Sequence, residues 1–219
     1  MIPERVYMGS GGRIGTPKKY SEVMETKPTP NKILIVYGTK EGQTAKIADR
    51  IGEVFRARSY ETDISSANDF GPCKNVSLQD YSAIIVGGSI HMMHLPSSLT
   101  RFIKHYKSDL ERLPSAFYSV SLTDAGTEYH EQLDKLLRGY WEKTGWQPKI
   151  VGRFGGALRY TSYGFLKRYM MRWIAQKGGY STDVKHDSEY TDWDSVTQFA
   201  NDFMARFEGY GLSVWTSGT

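Results

Sequence analysis

Cysteine is almost missing from this chain: of its 219 residues only Cys73 is one. An internal disulfide and a cysteine-based metal site are therefore excluded, and a reducing, intracellular compartment is the expectation. No apolar run approaches the ~20 residues that a membrane-spanning helix needs. Two nucleotide-binding signatures are absent as well. No Lys-Ser or Lys-Thr pair follows Gly42, so the first glycine turn is not a P-loop, and it does not read GxGxxG either. Acid is missing over one long stretch: from Lys143 to Thr182 there are eight Lys or Arg residues and no Asp or Glu. The net charge of +4 points to an acidic partner, whether anionic lipid, a carboxylate-bearing ligand or nucleic acid.

What is present begins with Lys32 to Thr44, KILIVYGTKEGQT. Ile33, Leu34, Ile35 and Val36 form an unbroken aliphatic run, which suits a parallel strand buried on both faces. After Tyr37, Gly38 and Thr39 a helical pattern opens, with Ile47, Ala48, Ile51, Val54 and Phe55 at three- and four-residue spacing. A strand, a short polar turn and a helix aim backbone N–H groups at an anion. Thr39 and Thr44 add hydroxyls, Gln43 an amide, and Gly42 lets the backbone come close. One glycine among hydroxyls and an amide suits a phosphate monoester better than a diphosphate, so the turn reads as a cradle for flavin mononucleotide (FMN). The plainer alternative is an ordinary βα turn with a polar helix start.

The remaining chain alternates in the same way. Short strands are expected at Tyr60–Ile64, Ala83–Val86, Ala116–Leu122 and Ile150–Leu158. Helices are expected after Pro96, over about Glu128–Lys143, and from a Thr191 cap onward. Glycines 152, 155 and 156 in the last strand suggest a bulge or a close approach. Residues 1–31 are rich in Gly and Pro and read as an irregular arm, 32–208 as one α/β domain, and 209–219 as an irregular tail. Five alternating strands imply a doubly wound parallel sheet, and strand order 2-1-3-4-5 is the arrangement that brings its three polar loops together. Its ligands lie beyond the carboxyl ends of the strands. There the loops Thr39–Thr44, Gly87–His94 and Thr123–Gly126 converge, a flavodoxin-type arrangement with phosphate in the first loop and the isoalloxazine ring between the other two.

Between the fifth strand and the last helix lies an insertion, about 159–182, reading RYTSYGFLKRYMMRWIAQKGGY from Arg159 to Tyr180. Phe165, Leu166, Tyr169, Met170, Trp173 and Ile174 fall on one helical face, with basic residues beside it. Such a helix suits the surface of an anionic bilayer, through Lys167, Arg168, Arg172 and Trp173. A helix packed on the sheet with a solvated basic face is the alternative.

With these stretches the chain resembles a known family. SAFYSVSL (Ser115–Leu122), GGALRYTSYGFLKRYM (Gly155–Met170), YTDWDSV (Tyr190–Val196), GTKEGQT (Gly38–Thr44) and GSIHMMH (Gly88–His94) are similar to the short, flavodoxin-like, quinone-dependent protoporphyrinogen oxidases. The likeness runs from about Lys32 to Phe207. It implies non-covalent FMN and oxidation of protoporphyrinogen IX to protoporphyrin IX in haem synthesis. Electrons would go to a membrane quinone, and the protein would be peripherally membrane-associated. Carried over by position, Thr39, Lys40, Glu41, Gly42, Gln43 and Thr44 match the phosphate loop. Ser89, Ile90 and His91 match one ring-flanking loop, and Leu122, Thr123, Asp124, Ala125 and Gly126 the other. Glu41 departs from the usual hydroxyl residue and is expected to face solvent, offering only its N–H.

The implied reaction removes six electrons in three two-electron steps, with a hydride leaving for the flavin and a proton for a base. Arg159 is the candidate for a substrate propionate, since a guanidinium forks onto a carboxylate; a structural ion pair is its other reading. His91 and His94 are candidate proton relays or simply solvated loop histidines. Tyr118, Trp146 and Trp193 are expected to be packing residues. The competing functions are a flavodoxin-type electron carrier, an NAD(P)H:quinone reductase, and a non-enzymatic module with a vestigial flavin loop. Nucleic acid is not an expected partner, because nothing beyond charge supports it. Self-association stays open.

Overall fold

A computed structural model of the chain describes residues 31–39, 42–70, 76–122, 130–158 and 188–210. In chain order these form β1 (Lys32–Gly38), α1 (Gln43–Arg56), β2 (Glu61–Ser66), β3 (Ala83–Ser89), α2 (Ser97–His105), α3 (Lys107–Arg112), β4 (Ser115–Ser121), α4 (His130–Thr144), β5 (Val151–Gly155), β6 (Ala157–Leu158), β7 (Ser188–Glu189) and, last, α5 (Trp193–Tyr210). The main sheet is parallel throughout with order β2-β1-β3-β4-β5. The expected topology is therefore the observed one.

The period of two explains the layering. Ile33 and Ile35 of β1 join Ile85, Tyr118 and Phe154 under α1 and α5. Leu34 and Val36 point the other way, to Val86, Phe117, Phe102 and Trp146 beneath α2, α3 and α4. All four β1 aliphatics are at most 1% exposed, which is why the run is continuous rather than alternating. β2 is the edge strand and is polar, ETDISS.

Three expectations change in detail. The fifth strand does not run unbroken to Leu158. It leaves the sheet after Gly155, and β6 pairs antiparallel with β7 instead. Gly155 is the hinge because a Cβ there would meet the Tyr190 carbonyl oxygen at 2.3 Å. The helix after Pro96 is broken at Tyr106 into α2 and α3. The cap of α5 is Asp192 rather than Thr191. Asp192 Oδ1 accepts the N–H groups of Asp194 (3.0 Å) and Ser195 (3.2 Å), and Oδ2 accepts the Ser195 hydroxyl at 2.6 Å. The Ser195 hydroxyl, then its N–H, holds the Asp192 carboxyl below its ordinary range. Thr191 is occupied elsewhere, as the site shows. Residues 1–30 of the expected arm, Cys73, the expected insertion of about 159–182 and residues 211–219 of the expected tail lie outside the described residues; residues 209 and 210 belong to α5.

Candidate functional site

The carboxyl ends of β1, β3 and β4 lie side by side, so the loops that follow them meet at one end of the sheet. The first turn is built around Gly42, whose φ of 89° is left-handed and open to glycine at no steric cost. Its N–H donates to Thr39 Oγ1 at 2.9 Å. Its carbonyl accepts from Ala45 (3.1 Å) and Lys46 (3.2 Å), starting α1. N–H groups ahead of these have no intrahelical acceptor, and the helix dipole makes this end positive. Thr44 is fully buried, and its hydroxyl has no hydrogen-bond partner among the described residues. The Ser89 hydroxyl at the end of β3 is likewise buried and has none among them.

The turn is fastened from below. Tyr118 OH donates to the Thr44 carbonyl at 2.9 Å across 74 residues of sequence. Gly87 makes room for it, since a Cβ there would lie 2.0 Å from Tyr118 Cζ. Burial raises the Tyr118 phenol well above its ordinary pKa, so it stays a donor. From the side, Gln43 Nε2 donates to Thr191 Oγ1 (2.8 Å), which donates to the Gly155 carbonyl (2.7 Å). The Gln43 amide thus ties α1 to the end of β5, a duty its place in the turn did not announce.

The second loop is held at its base. The Ile90 N–H donates to the Val120 carbonyl at 2.8 Å, prolonging the β3–β4 ladder. His91 and His94 exchange backbone hydrogen bonds of 3.0 and 3.1 Å around a tight turn. The turn puts Met92 at φ 48° and Met93 at φ 60°. Met92 is 72% exposed. His94 Nδ1 lies 2.6 Å from the Met92 carbonyl, so Nδ1 carries a proton and only Nε2 can accept one.

The structure therefore brings Thr39, Gly42, Gln43, Thr44, Ser89, Ile90, His91 and Leu122 to one end of the sheet, with His94 on the rim. Lys40, Glu41, Thr123, Asp124, Ala125, Gly126 and Arg159 lie outside the described residues. Among the described residues no cluster of His, Cys, Asp and Glu could hold a metal ion, and no helix is long and apolar enough to cross a membrane. Sequence reading missed the Tyr118–Gly87 pair. The available signal was a glycine inside an aliphatic strand, which marks a close approach.

A parallel five-stranded sheet of order 2-1-3-4-5 with helices on both faces defines a flavodoxin-like α/β protein. The flavodoxin-domain family matches residues 34–185. Protoporphyrinogen IX dehydrogenase (quinone) of Leishmania major is 32% identical over 179 residues, 80% of this chain and 75% of the relative. The enzyme of that name from Escherichia coli strain K12 is 30% identical over 172 residues, 78% of this chain and 93% of the relative. The chain belongs to the flavodoxin-like family that these quinone-dependent protoporphyrinogen IX dehydrogenases represent. Among solved structures, oxidised flavodoxin 1 from Bacillus cereus is 18% identical with a TM-score of 0.49, covering 80% of this chain and 97% of that one.

Proposed function

We propose that this oxidoreductase binds FMN with its phosphate in the turn Thr39–Thr44, oxidises protoporphyrinogen IX to protoporphyrin IX, and passes the electrons to a membrane quinone. The relatives' names support the substrate and the acceptor. The observation that carries the cofactor assignment is the Thr44 hydroxyl: fully buried, without a partner among the described residues, and in the first turn of α1. An unmet buried hydroxyl costs about 1–3 kcal/mol. A phosphate oxygen placed there removes that cost and meets the positive end of the helix as well. The Ser89 hydroxyl offers a second such partner beside the ring. When bound, FMN supplies a two-electron acceptor that the side chains cannot provide.

The chain's own part is binding and orientation. Gly42, Thr44 and the first-turn N–H groups hold the phosphate, with Thr39 closing the turn on Gly42. Ser89, Ile90 and His91 flank the ring on one side, and Leu122 to Gly126 on the other. Arg159 binds a substrate propionate. His91, or His94 through Nε2, takes the proton released from a pyrrole nitrogen. Lys167, Arg168, Arg172 and Trp173 rest on an anionic bilayer, where the quinone is dissolved.

Anaerobic mixing with porphyrinogen should bleach the flavin absorbance, and added quinone should restore it. Bleaching by a nicotinamide and not by porphyrinogen would replace this reading with a quinone reductase. Thr44→Val should weaken FMN binding by one to two decades, about 1–3 kcal/mol, and unchanged affinity would move the phosphate elsewhere. Arg159→Ala should raise KM for porphyrinogen; an unchanged KM would remove its assigned role.

A further inference from the structure

The opposite end of the sheet holds a second cavity, of about 510 Å³, between the end of α3, the α4–β5 connection and the last turns of α5. It lies far from the flavin turn. Ser115 lines it, while Ser121 on the same strand reaches the candidate site, so the two are about 20 Å apart at ~3.3 Å per residue. Its volume is that of a small-molecule site.

Its interior is apolar. Trp146, Leu110 and Phe203 are at most 2% exposed and form the inner surface. Phe207 stacks on Phe203 with rings 7° from parallel and 6.4 Å apart, making one wall. Four charged residues surround the opening, and two of them are already answered. Glu111 accepts Lys107 Nζ at 2.8 Å, and Arg112 pairs with Asp109 at 2.9 Å. The remaining two, Lys149 and Arg206, are exposed and make no ion pair or side-chain hydrogen bond among the described residues. An apolar chamber with two uncompensated cations at its mouth is complementary to one kind of molecule, an apolar chain ending in an anion.

We infer that this cavity is a binding site for an amphipathic carboxylate, its chain against Trp146, Phe203 and Phe207 and its head group at Lys149 and Arg206. The assignment does not depend on the redox reading. The chain's own residues 211–219 follow α5 and are the competing occupant. They carry Leu212, Val214 and Trp215 but no ionisable side chain, and saturable binding of an added carboxylate is the result that excludes them.

The test is calorimetric titration of the full chain, flavin bound, with sodium hexanoate, octanoate and decanoate, and with decyltrimethylammonium as the charge-reversed probe. Decanoate should bind once per chain, with affinity rising about fourfold per added methylene, the equivalent of ~0.8 kcal/mol each. The cationic probe should bind at least tenfold more weakly. Lys149→Glu with Arg206→Glu, both on the surface, should weaken decanoate at least tenfold while flavin content and far-ultraviolet circular dichroism stay unchanged. Absence of saturable binding would mean that the chamber is filled by the protein itself and would overturn the proposal. Equal binding of the cationic probe, or decanoate binding untouched by the double charge reversal, would overturn it too.

Discussion

The loop after β1 is pinned from beneath by Tyr118 and from the side by the Gln43–Thr191–Gly155 chain, and its Thr44 hydroxyl is buried. The loop after β3, one strand away, is tied to the sheet among the described residues through the Ile90 N–H, and beyond that point it puts two methionines in left-handed backbone and in solvent. A phosphate has fixed charge and shape, so donors held rigid before it arrives lose little entropy on binding. An organic ring system that changes redox state presents a less constant surface. On the proposed reading, a loop carrying adaptable thioethers suits that task. The firmly held loop would then meet the phosphate and the lightly held one the ring.

The sharpest way to break the contrast is Gly87→Ala. The new Cβ would fall 2.0 Å from a ring that is itself fully buried, so strand and ring cannot both stay. We expect a loss of about 3 kcal/mol or more in urea denaturation, with purified protein depleted of flavin. Tyr118→Phe is milder. It leaves the packing intact and removes only the donor to the Thr44 carbonyl, for about 1–2 kcal/mol of stability and a several-fold weaker FMN affinity by fluorescence titration. If affinity held while stability fell, the tyrosine would be structural and unconnected to the turn.

Met92→Asn with Met93→Gly works in the other direction. Both replacements accept positive φ, so chemical denaturation should show a gain of about 1–2 kcal/mol. FMN affinity should fall about threefold in fluorescence titration, because thioethers that adapt to the ring are lost while the turn after β1 is untouched; an unchanged affinity would take both methionines out of the ring's surroundings. No gain would mean that the turn is unstrained. Acid should have the smallest effect. Burial pushes the Asp63 carboxyl up, but hydrogen bonds from Lys32 and Tyr81 outweigh it and hold the group below its ordinary range. Its stabilisation is therefore present above the unfolded carboxylate pKa and is lost as pH falls through the lower folded value. Asp63→Asn should flatten the acid limb of a stability–pH curve slightly, with both loops unaffected, because the pair sits in the amino-terminal half of the β1–β2 ladder.

The fold was legible because its signals are local. Ile33–Val36 reads as a strand buried on both faces, and Ile47 to Phe55 as an amphipathic helix, whatever the rest of the chain does. The polar turn after β1 was legible for the same reason, since Thr39, Gly42 and Thr44 are neighbours in sequence. Asp192 was overlooked as a cap because Thr191, beside it, has an equally suitable side chain. Only the Gly155 carbonyl, supplied by a distant strand, draws that hydroxyl away. The end of β5 was overextended for a related reason: Ala157 and Leu158 are strand residues, but their partner is β7 and not β4.

Composition and periodicity alone determined the doubly wound parallel sheet and the double burial of its central strands, since burial of continuous aliphatic runs permits few arrangements. Tertiary structure alone decided which hydroxyls lack a partner among the described residues, which tyrosine braces the turn after β1, and which cations at the far cavity lack one among those residues. Each of these is a relation between residues tens of positions apart. A hydrogen bond or an ion pair acts over only a few ångströms, so whether it forms is settled once the chain has brought the groups together.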